Sequence, residues 1–518
     1  MRAMHYWVLA FGFLDWSASL CLARPLTSRL PPVSAAVPSL LRVSGGGGGG
    51  DGVVPAEYAT ASTWRPRGDA LDKKIVKLAL PAALNFLILP LVGTVDTLWV
   101  GRLGQASSLA ALGAANQVFS SVFFVVSFIP SVVTPLVAAA HAAGDDDLVR
   151  GRVRDAFWLS AVVGLAASFG LAAFPRRALS LALPASADAA TAAAATAYLS
   201  VRALALAPAM LAFVGFATCR GLLDVVTPLR VSLATQGLNL VLDPILIFTA
   251  GLGVAGAAAA TAIAECAAAA SYVVLLARKN VLKPASLAAS LRPPPLKALA
   301  PLVGGGAGVL ARSVAMNVAF LAITRRTQAL DPSGATAAAH TIAMQVWQLG
   351  GVVLFALSSV AAMLVPATLN SPERGGKLEA KKTADRMLGW GLAAGVGLGL
   401  CQLALLPLLS VFSPVPEIRA AARAPAIIGA GLQLINGVTF VAEGVMQGHA
   451  AFFPLARNAA LASAGLLAAL RSPLGDSLPG VWYSFAVFNS IRFLGAYRHH
   501  KITGPLGSRN LHEPHRKD

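Results

Sequence analysis

Two polar residues interrupt an apolar stretch of this 518-residue chain in a way that could do chemistry. Asn239 and Asp243 are four positions apart, so on a helix they lie on one face. Pro244 follows directly, removes a backbone donor and loosens the helix, which leaves a carbonyl oxygen free. A carboxyl group in such apolar sequence is costly unless it faces water, a cation or a partner. The pattern therefore predicts a site that takes up a proton or coordinates Na⁺ through its oxygens.

Few other ionisable residues fall inside apolar stretches. Asp96 ends the first stretch and could be either a site residue or an interfacial one, whereas Glu265 lies in the middle of an alanine-rich stretch. If Asp96, Asn239 and Asp243 converge with Thr261, their carboxylate, amide and hydroxyl oxygens suit either ion. Arg202 could pair with an acid or extend to the interface. In the second half the ionisable residues are chiefly Arg312 and Glu443.

Other kinds of site leave no signature in the sequence. No Walker A loop, HExxH or GxSxG motif is present, so we expect neither an enzyme nor an ATP site. The four cysteines form no CxxC pair and predict no zinc site. We expect no cofactor, and no metal unless Na⁺ is the ion that the carboxylate, amide and hydroxyl oxygens bind.

The composition indicates a membrane protein. Hydrophobic residues make up 56% of the chain and charged residues 12%, about half the charge of a soluble domain. Apolar runs of about 20 residues recur, and they are continuous rather than alternating, which indicates membrane helices. The net charge of +18 does not indicate nucleic acid, because the basic residues lie in short segments between the runs, where they meet lipid headgroups.

The pattern predicts an all-α polytopic protein with twelve transmembrane helices. We place them near residues 75–98, 112–140, 155–175, 193–217, 228–250, 254–277, 299–324, 337–367, 386–411, 424–446, 452–470 and 480–496. Prolines are candidate breaks in these helices. Lys and Arg are concentrated before the first span, in the loops that follow the even-numbered spans, and after the last span. Both termini are therefore predicted on the cytosolic or stromal side. The longest predicted loops are Arg278–Lys297 and Ser371–Arg386.

Five parts are predicted along the chain. The first 23 residues resemble a signal with an apolar core, and the glycine- and arginine-rich sequence up to Gly68 resembles a transit peptide or a disordered tail. The parts are residues 1–70 (leader and transit-like region), 71–278 (first six-helix lobe), 279–298 (inter-lobe loop), 299–498 (second six-helix lobe) and 499–518 (basic tail).

An internal repeat supports the division into two lobes. Gln117-Val118-Phe119 resembles Gln345-Val346-Trp347, and the pairs Phe213/Phe440, Gly221/Gly448 and Arg230/Arg457 keep almost the same offset. Six spans in each repeat make the repeats parallel, so the lobes are related by a pseudo-twofold axis along the membrane normal. Transporters built in this way hold the substrate between the lobes.

These motifs resemble those of the multidrug and toxic compound extrusion (MATE) transporters. The resemblance covers about Leu71 to Arg498 and rests on VGTVDTLWVGRLG, on CRGLLDVVTPL followed by NLVLDPILIF and GVAGAAAAT, and on AAAHTIAMQVW. It is strongest to the branch of bacterial DinF and plant plastid MATE proteins, some of which move organic anions.

The resemblance implies a coupling site in the first lobe for H⁺ or Na⁺. The site would comprise Asp96, Asn239, Asp243 and Thr261, with Tyr198 as a weaker match. Protonation would bend the first span near Pro90 or Pro81. The second half departs from the pattern: the seventh span has no acid that matches Asp96, and Leu354-Phe355-Ala356 lacks the acid of some bacterial members. Glu265 and Glu443 are the remaining candidates for a substrate contact or a second acid.

The expected function is secondary active antiport of an organic solute against H⁺ or Na⁺. The alternative is an ion-uncoupled lipid flippase, or an organic-anion carrier, on a related two-lobe scaffold. The expected partners are a small organic substrate and the lipid bilayer, with no nucleic acid, and we expect a monomer. The expected location is the plastid envelope or, alternatively, the plasma membrane or another cellular membrane.

Overall fold

Apolar runs form helices throughout the structure, because only a helix satisfies its own backbone hydrogen bonds in lipid. The structure is a computed structural model that describes residues 64–180, 188–282, 293–331, 335–371, 376–408 and 415–511. These residues form helices and turns and contain no strand. The predicted leader, most of the transit-like region and the end of the basic tail lie outside the described residues.

The first lobe contains six membrane-crossing elements. Asp69 accepts hydrogen bonds from the backbone at the start of α1, as expected of an N-cap. The helices are α1 (Ala70–Gly101), α2 (Ala106–Val126) with α3 (Phe128–Ala142), α4 (Asp146–Ala173), the short α5 (Pro175–Leu179), α6 (Ala189–Leu204) with α7 (Leu206–Gly221), α8 (Val226–Pro244) and α9 (Val254–Arg278).

The second lobe repeats this arrangement with six long helices. They are α10 (Leu296–Ala329), α11 (Ala335–Leu369), α12 (Gly376–Ala404), α13 (Pro416–Gly448), α14 (Phe452–Leu470) and α15 (Leu478–Arg498). A π-helical turn at His499–Thr503 and α16 (Ser508–Leu511) follow, so the first part of the predicted tail is folded.

The twelve predicted spans correspond to these helices. Within the described residues, nine continuous elements are long and apolar enough to cross a membrane, and the bent pair α6–α7 makes ten. The remaining two are α1 and α15, of 32 and 21 residues. Two of the predicted proline breaks are confirmed: the interruptions fall at Ser127 and at Ala205, three residues before Pro130 and Pro208, and α6 and α7 meet at 48°.

The predicted loop Ser371–Arg386 is wrong from Gly376 onwards, because α12 begins at that residue. Its charged residues indicate a loop by composition, but they form a helix whose charges are paired. Asp385 lies near Lys381 and His500, and Arg386 is buried against the first lobe. The charges therefore join the helix to its neighbours on one face of the membrane instead of forming a solvated loop.

The two lobes share a hydrophobic core on one side of the membrane only. We name the side on which α1 begins and α15 ends the inner side. A cluster of buried residues there joins α1 and α3 of the first lobe to α11, α12 and α13 of the second, and it includes Ile75, Ala138, Val360, Leu388 and Val441. A second inner cluster joins Val132 and Val214 to Leu302 and Phe452.

On the outer side each lobe has a separate core. One outer cluster lies within the first lobe and includes Val100, Leu112, Leu199 and Ala258. The other lies within the second lobe and includes Phe320, Ile342, Leu466 and Phe485. The lobes therefore pack together at the inner side and form separate cores at the outer side.

Polar contacts between the lobes also lie on the inner side. Arg386 of α12 donates hydrogen bonds to Asp72 (2.9 Å) and Asp69 (3.0 Å) at the start of α1. Trp390 Nε1 donates to the other oxygen of Asp72 at 2.8 Å. Arg220, at the end of α7, donates to the Ser359 hydroxyl of α11. These contacts hold the inner side closed.

Candidate functional site

Asp96, Asn239 and Asp243 come together in the outer half of the first lobe. Asn239 Nδ2 donates to Asp96 Oδ1 at 2.9 Å and lies 3.4 Å from Asp243 Oδ2. The amide thus connects carboxyl groups from α1 and α8. Asp96 is 8% exposed, Asn239 1% and Asp243 0%, so the cluster is removed from bulk water.

The backbone after Asp243 has the irregularity expected from Pro244. The α-helix ends at Pro244 and continues as a π-helical turn, Ile245–Thr249. Proline has no N–H to donate to the carbonyl one turn earlier, so the regular ladder ends there. π-turns inside membrane helices often occur at functional sites. Asp243 is therefore held where the helix changes its pitch.

Two acceptor oxygens in the cluster remain without a donor among the described residues. They are Asn239 Oδ1 and Asp243 Oδ1, both buried. The amide of Asn239 bridges the carboxyl groups of Asp96 and Asp243, so the two carboxyl groups lie close to each other. Two buried negative charges held this close repel each other, so the cluster is suited to bind a proton. The same oxygens are the ligand type that Na⁺ accepts.

Glu265 has a partner that sequence analysis left open. Arg202 Nη1 and Nη2 donate to the two carboxylate oxygens of Glu265 at 2.7 and 3.0 Å. The guanidinium also lies 3.9 Å from the centroid of the Phe119 ring, which is a cation–π contact. This bidentate pair is within electrostatic range of Asp96 and is neutral as a unit. The negative charge of the site therefore comes from Asp96 and Asp243.

The other predicted members do not contact the carboxyl groups directly. Tyr198 is buried and donates to Asn116 Oδ1 of α2 at 2.7 Å; sequence analysis missed Asn116. Thr261 donates to the carbonyl of Ala257 in its own helix at 3.0 Å. α1 is helical through Pro81 and Pro90, and the side chain of Pro90 is outside the described part of the structure. A hinge at either proline stays a prediction.

Glu443 lies between two arginines in the second lobe. Arg492 of α15 donates to both of its carboxylate oxygens at 2.9 Å, and Arg312 of α10 donates to Oε2. Sequence analysis missed Arg492, although the signal was available: it is a lone arginine within a predicted span. The repeat also aligns it with Glu265, at an offset of 227 residues. The role of Glu443 as a second acid stays a prediction.

These observations define a class of protein: a two-lobe helical membrane transporter with a buried carboxyl cluster in one lobe. Comparisons with known proteins agree. The family model named MatE matches residues 81–245. Protein DETOXIFICATION 44, chloroplastic, of Arabidopsis thaliana is 31% identical over 452 residues, which cover 84% of this chain and 83% of that protein. The chain therefore belongs to the multidrug and toxic compound extrusion (MATE) family.

Two further similarities extend this assignment. The probable multidrug resistance protein NorM of Rhizobium meliloti (strain 1021) is 28% identical over 419 residues, covering 76% of this chain and 86% of that protein. A crystal structure of MATE in the bent conformation superimposes with a TM-score of 0.74 at 17% identity, over 83% of this chain and 95% of that one. The fold is thus that of a MATE transporter, an integral multi-pass membrane protein.

Proposed function

We propose that this protein is a secondary active antiporter that exports an organic solute in exchange for a proton bound at Asp96 and Asp243. One observation supports this proposal above the others: Asn239 connects two buried carboxyl groups from different helices. No other cluster in the described part of the first lobe offers buried, unpartnered carboxyl or amide oxygens.

The proton is favoured over Na⁺ by the closeness of the two carboxyl groups, which share the Asn239 amide. Two like charges so close in a low-dielectric site repel strongly, and one shared proton removes most of that repulsion. Na⁺ is the second candidate, bound by oxygens of Asp96, Asn239 and Asp243. In both cases the ion is the coupling species, and the protein needs no other cofactor.

Alternating access follows from the division of contacts between the two sides. The inner side is closed by a shared core and by ion pairs between the lobes, whereas the outer cores are separate. A proton that enters from the outer side reaches Asp96 and Asp243 in this conformation. A solute bound between the lobes is released to the same side, which is the direction of export.

The relatives guide the remaining details. DETOXIFICATION 44 carries the description chloroplastic, which supports a plastid envelope for this chain too. NorM is described as a probable multidrug resistance protein, which supports small organic substrates. Transport rather than enzymatic chemistry is proposed because the polar clusters described above pair charges within and between the lobes, and they include no nucleophile activated by a neighbouring base. We propose that one chain is sufficient for function.

The experiment uses the full chain reconstituted in liposomes. Transport of a panel of organic cations and anions is followed under an imposed pH gradient and then under an imposed Na⁺ gradient. Asp243→Asn removes the titrating group and keeps the shape of the side chain. Asp147→Asn is the matched control, because Asp147 is almost fully exposed at the start of α4.

Gradient-driven transport that Asp243→Asn abolishes and Asp147→Asn retains would support the proposal, and the effective gradient identifies the ion. Undiminished transport by Asp243→Asn would remove the carboxyl cluster from the mechanism. Equal transport with no gradient would instead indicate an uncoupled carrier, such as a lipid flippase.

A further inference from the structure

The polar cluster of the second lobe differs in charge from that of the first. It contains Arg312, Glu443 and Arg492, so two cations face one anion. Arg492 already neutralises Glu443 through two parallel hydrogen bonds, which is the strongest geometry for such a pair. Arg312 is therefore the surplus cation of this cluster.

Arg312 has hydrogen-bonding capacity left over. Its Nη2 group donates to Glu443, while its Nε is buried and has no acceptor among the described residues. An arginine has five N–H donors, and a buried donor without an acceptor costs free energy. The side chain is 19% exposed, so part of it can be reached from outside the protein core.

Aromatic rings connect this cluster to the region between the lobes. The Arg492 guanidinium lies 5.4 Å from the ring centroid of Phe440. Phe440 contacts Phe355 at 5.3 Å between centroids, and Phe355 contacts Phe86 of the first lobe at 6.3 Å. Phe355 is 54% exposed. A row of phenylalanine rings thus extends from the contact between the lobes to the arginines.

Asn436 gives an independent sign of an unfilled site. It precedes Phe440 by four residues and Glu443 by seven, so the three side chains lie along one face of α13. Asn436 is 1% exposed, and neither its amide nitrogen nor its amide oxygen has a partner within the described chain. A buried amide with both groups unsatisfied is unusual and fits a ligand or ordered water.

We propose that this face of α13 and Arg312 form a substrate site that binds an organic carboxylate with an aromatic body. The Arg312 guanidinium binds the carboxylate, the phenylalanines contact the ring, and Asn436 bonds to a polar substituent. The surplus cation repels organic cations. The proposal rests on the proposed transport function, since it names the solute class of that transporter.

The test is equilibrium binding to the full-length purified protein in lipid nanodiscs, with no gradient. The probes are radiolabelled benzoate as the organic anion and tetraphenylphosphonium as the organic cation. Arg312→Gln removes the surplus charge and leaves the neutral Glu443–Arg492 pair, so the fold is expected to persist; its thermal unfolding is checked. Arg325→Gln is the matched control, because Arg325 is exposed on the same helix.

Arg312→Gln is expected to weaken benzoate binding at least tenfold, as the loss of a charge-assisted hydrogen bond predicts. Arg312→Lys recovers part of the affinity, and Arg325→Gln changes nothing. Asn436→Leu weakens binding of 4-hydroxybenzoate several-fold more than binding of benzoate, which has no polar substituent for the amide, without lowering the unfolding temperature. Equal benzoate affinity in wild type and Arg312→Gln would overturn the site, as would a wild type that binds tetraphenylphosphonium but not benzoate.

Asp243→Asn separates this proposal from the antiport proposal. The variant is expected to bind benzoate like the wild type, because the carboxyl cluster belongs to the other lobe. Binding that depends on Arg312 without any gradient-driven transport would support the anion site and contradict antiport. Gradient-driven transport lost in Asp243→Asn but unaffected by Arg312→Gln would support antiport and contradict the anion site.

Discussion

Arg386 of the second lobe and Asp72 of the first form a buried ion pair across the inner side of the transporter. Arg386 Nη1 lies 2.9 Å from Asp72 Oδ2, and the two side chains are 1% and 3% exposed. Trp390 holds the other carboxylate oxygen. The lobes cannot separate on this side without breaking this pair, so it contributes directly to closure of the inner side.

Arg386→Gln is therefore expected to favour opening of the inner side. Removing one partner of a buried ion pair typically costs about 3–5 kcal/mol, because a charge is left without compensation. The readout is labelling of Ala138→Cys by a membrane-impermeant maleimide applied at the inner side, in a background whose native cysteines are replaced by alanine. Ala138 is fully buried in the shared inner core. We expect labelling at least about tenfold faster in Arg386→Gln.

Lys382→Gln is the control for this prediction. Lys382 lies on the same helix and forms only a half-exposed pair with Glu379, which is worth little. Its labelling rate should match that of the unaltered background. Equal rates for Arg386→Gln and Lys382→Gln would mean that the shared apolar core alone keeps the inner side closed.

The same ion pair is expected to be insensitive to pH in the neutral range. Burial raises the pKa of Asp72, but hydrogen bonds from Trp390, the Arg67 backbone and Arg386 outweigh it and hold the pKa below its ordinary value of 3.8. A carboxyl group whose pKa is lowered by folding stabilises the folded state fully at any pH above its ordinary pKa. This stabilisation is lost as the pH falls through the pKa of the folded state. Closure by Asp72 should thus persist at every physiological pH.

This expectation is measured in the Asp243→Asn variant, whose proposed coupling site has lost one titrating group. The labelling rate of Ala138→Cys should stay constant between about pH 6 and 8. A rate that climbs as the medium is acidified would assign a switch to another inner group. His500, which lies beside Asp385, would be the first group to examine. Burial lowers the pKa of His500, whereas the carboxylate of Asp385 acts to raise it, and the net effect is a lowered pKa.

The sequence alone predicts that site residues come together when they are close neighbours in the chain. Asn239 and Asp243 are one turn apart, so a helix places them together whatever surrounds them. The apolar runs predict twelve helices, because few other backbone structures can cross a bilayer. The bridge to Asp96 depends on how α1 and α8 pack, and only the family resemblance brought Asp96 into the same site before the structure was known.

The second lobe shows what could not be predicted. Glu443 is 131 residues from Arg312 and 49 from Arg492, and no local pattern pairs residues at such separations. The start of α12 was misplaced because its charges are neutralised by distant partners, Asp72 for Arg386 and His500 for Asp385. Composition reports each charge but not its partner.

Glu265 and Arg202 are expected to act as a structural pair. Each single variant, Glu265→Gln or Arg202→Gln, leaves a charge uncompensated in a low-dielectric site and should lower the free energy of unfolding by about 3–5 kcal/mol. The double variant should recover most of this loss, because it leaves no charge behind. Thermal unfolding of all four forms in detergent gives the coupling free energy.

Transport by the same variants tests whether Glu265 is a structural residue or binds the ion. If Glu265 is structural, Glu265→Gln combined with Arg202→Gln keeps gradient-driven transport. Strictly additive losses of stability, together with a double variant that folds but does not transport, would place Glu265 among the groups that bind the ion.

Pro244→Ala is expected to weaken ion coupling while leaving the fold intact. Alanine restores a backbone donor, which can bond to the carbonyl of Leu240 and extend the regular α-helix through the π-helical turn Ile245–Thr249. A regular helix shifts Asp243 relative to Asp96, so the apparent affinity for the driving ion should fall several-fold.

Pro228→Ala is the matched control, since Pro228 lies in the first turn of the same helix, where no intrahelical donor is needed. The measurement is the rate of solute transport as a function of the imposed ion gradient. A Pro244→Ala protein whose ion dependence equals that of Pro228→Ala would show that the π-turn is not needed to position the carboxyl group.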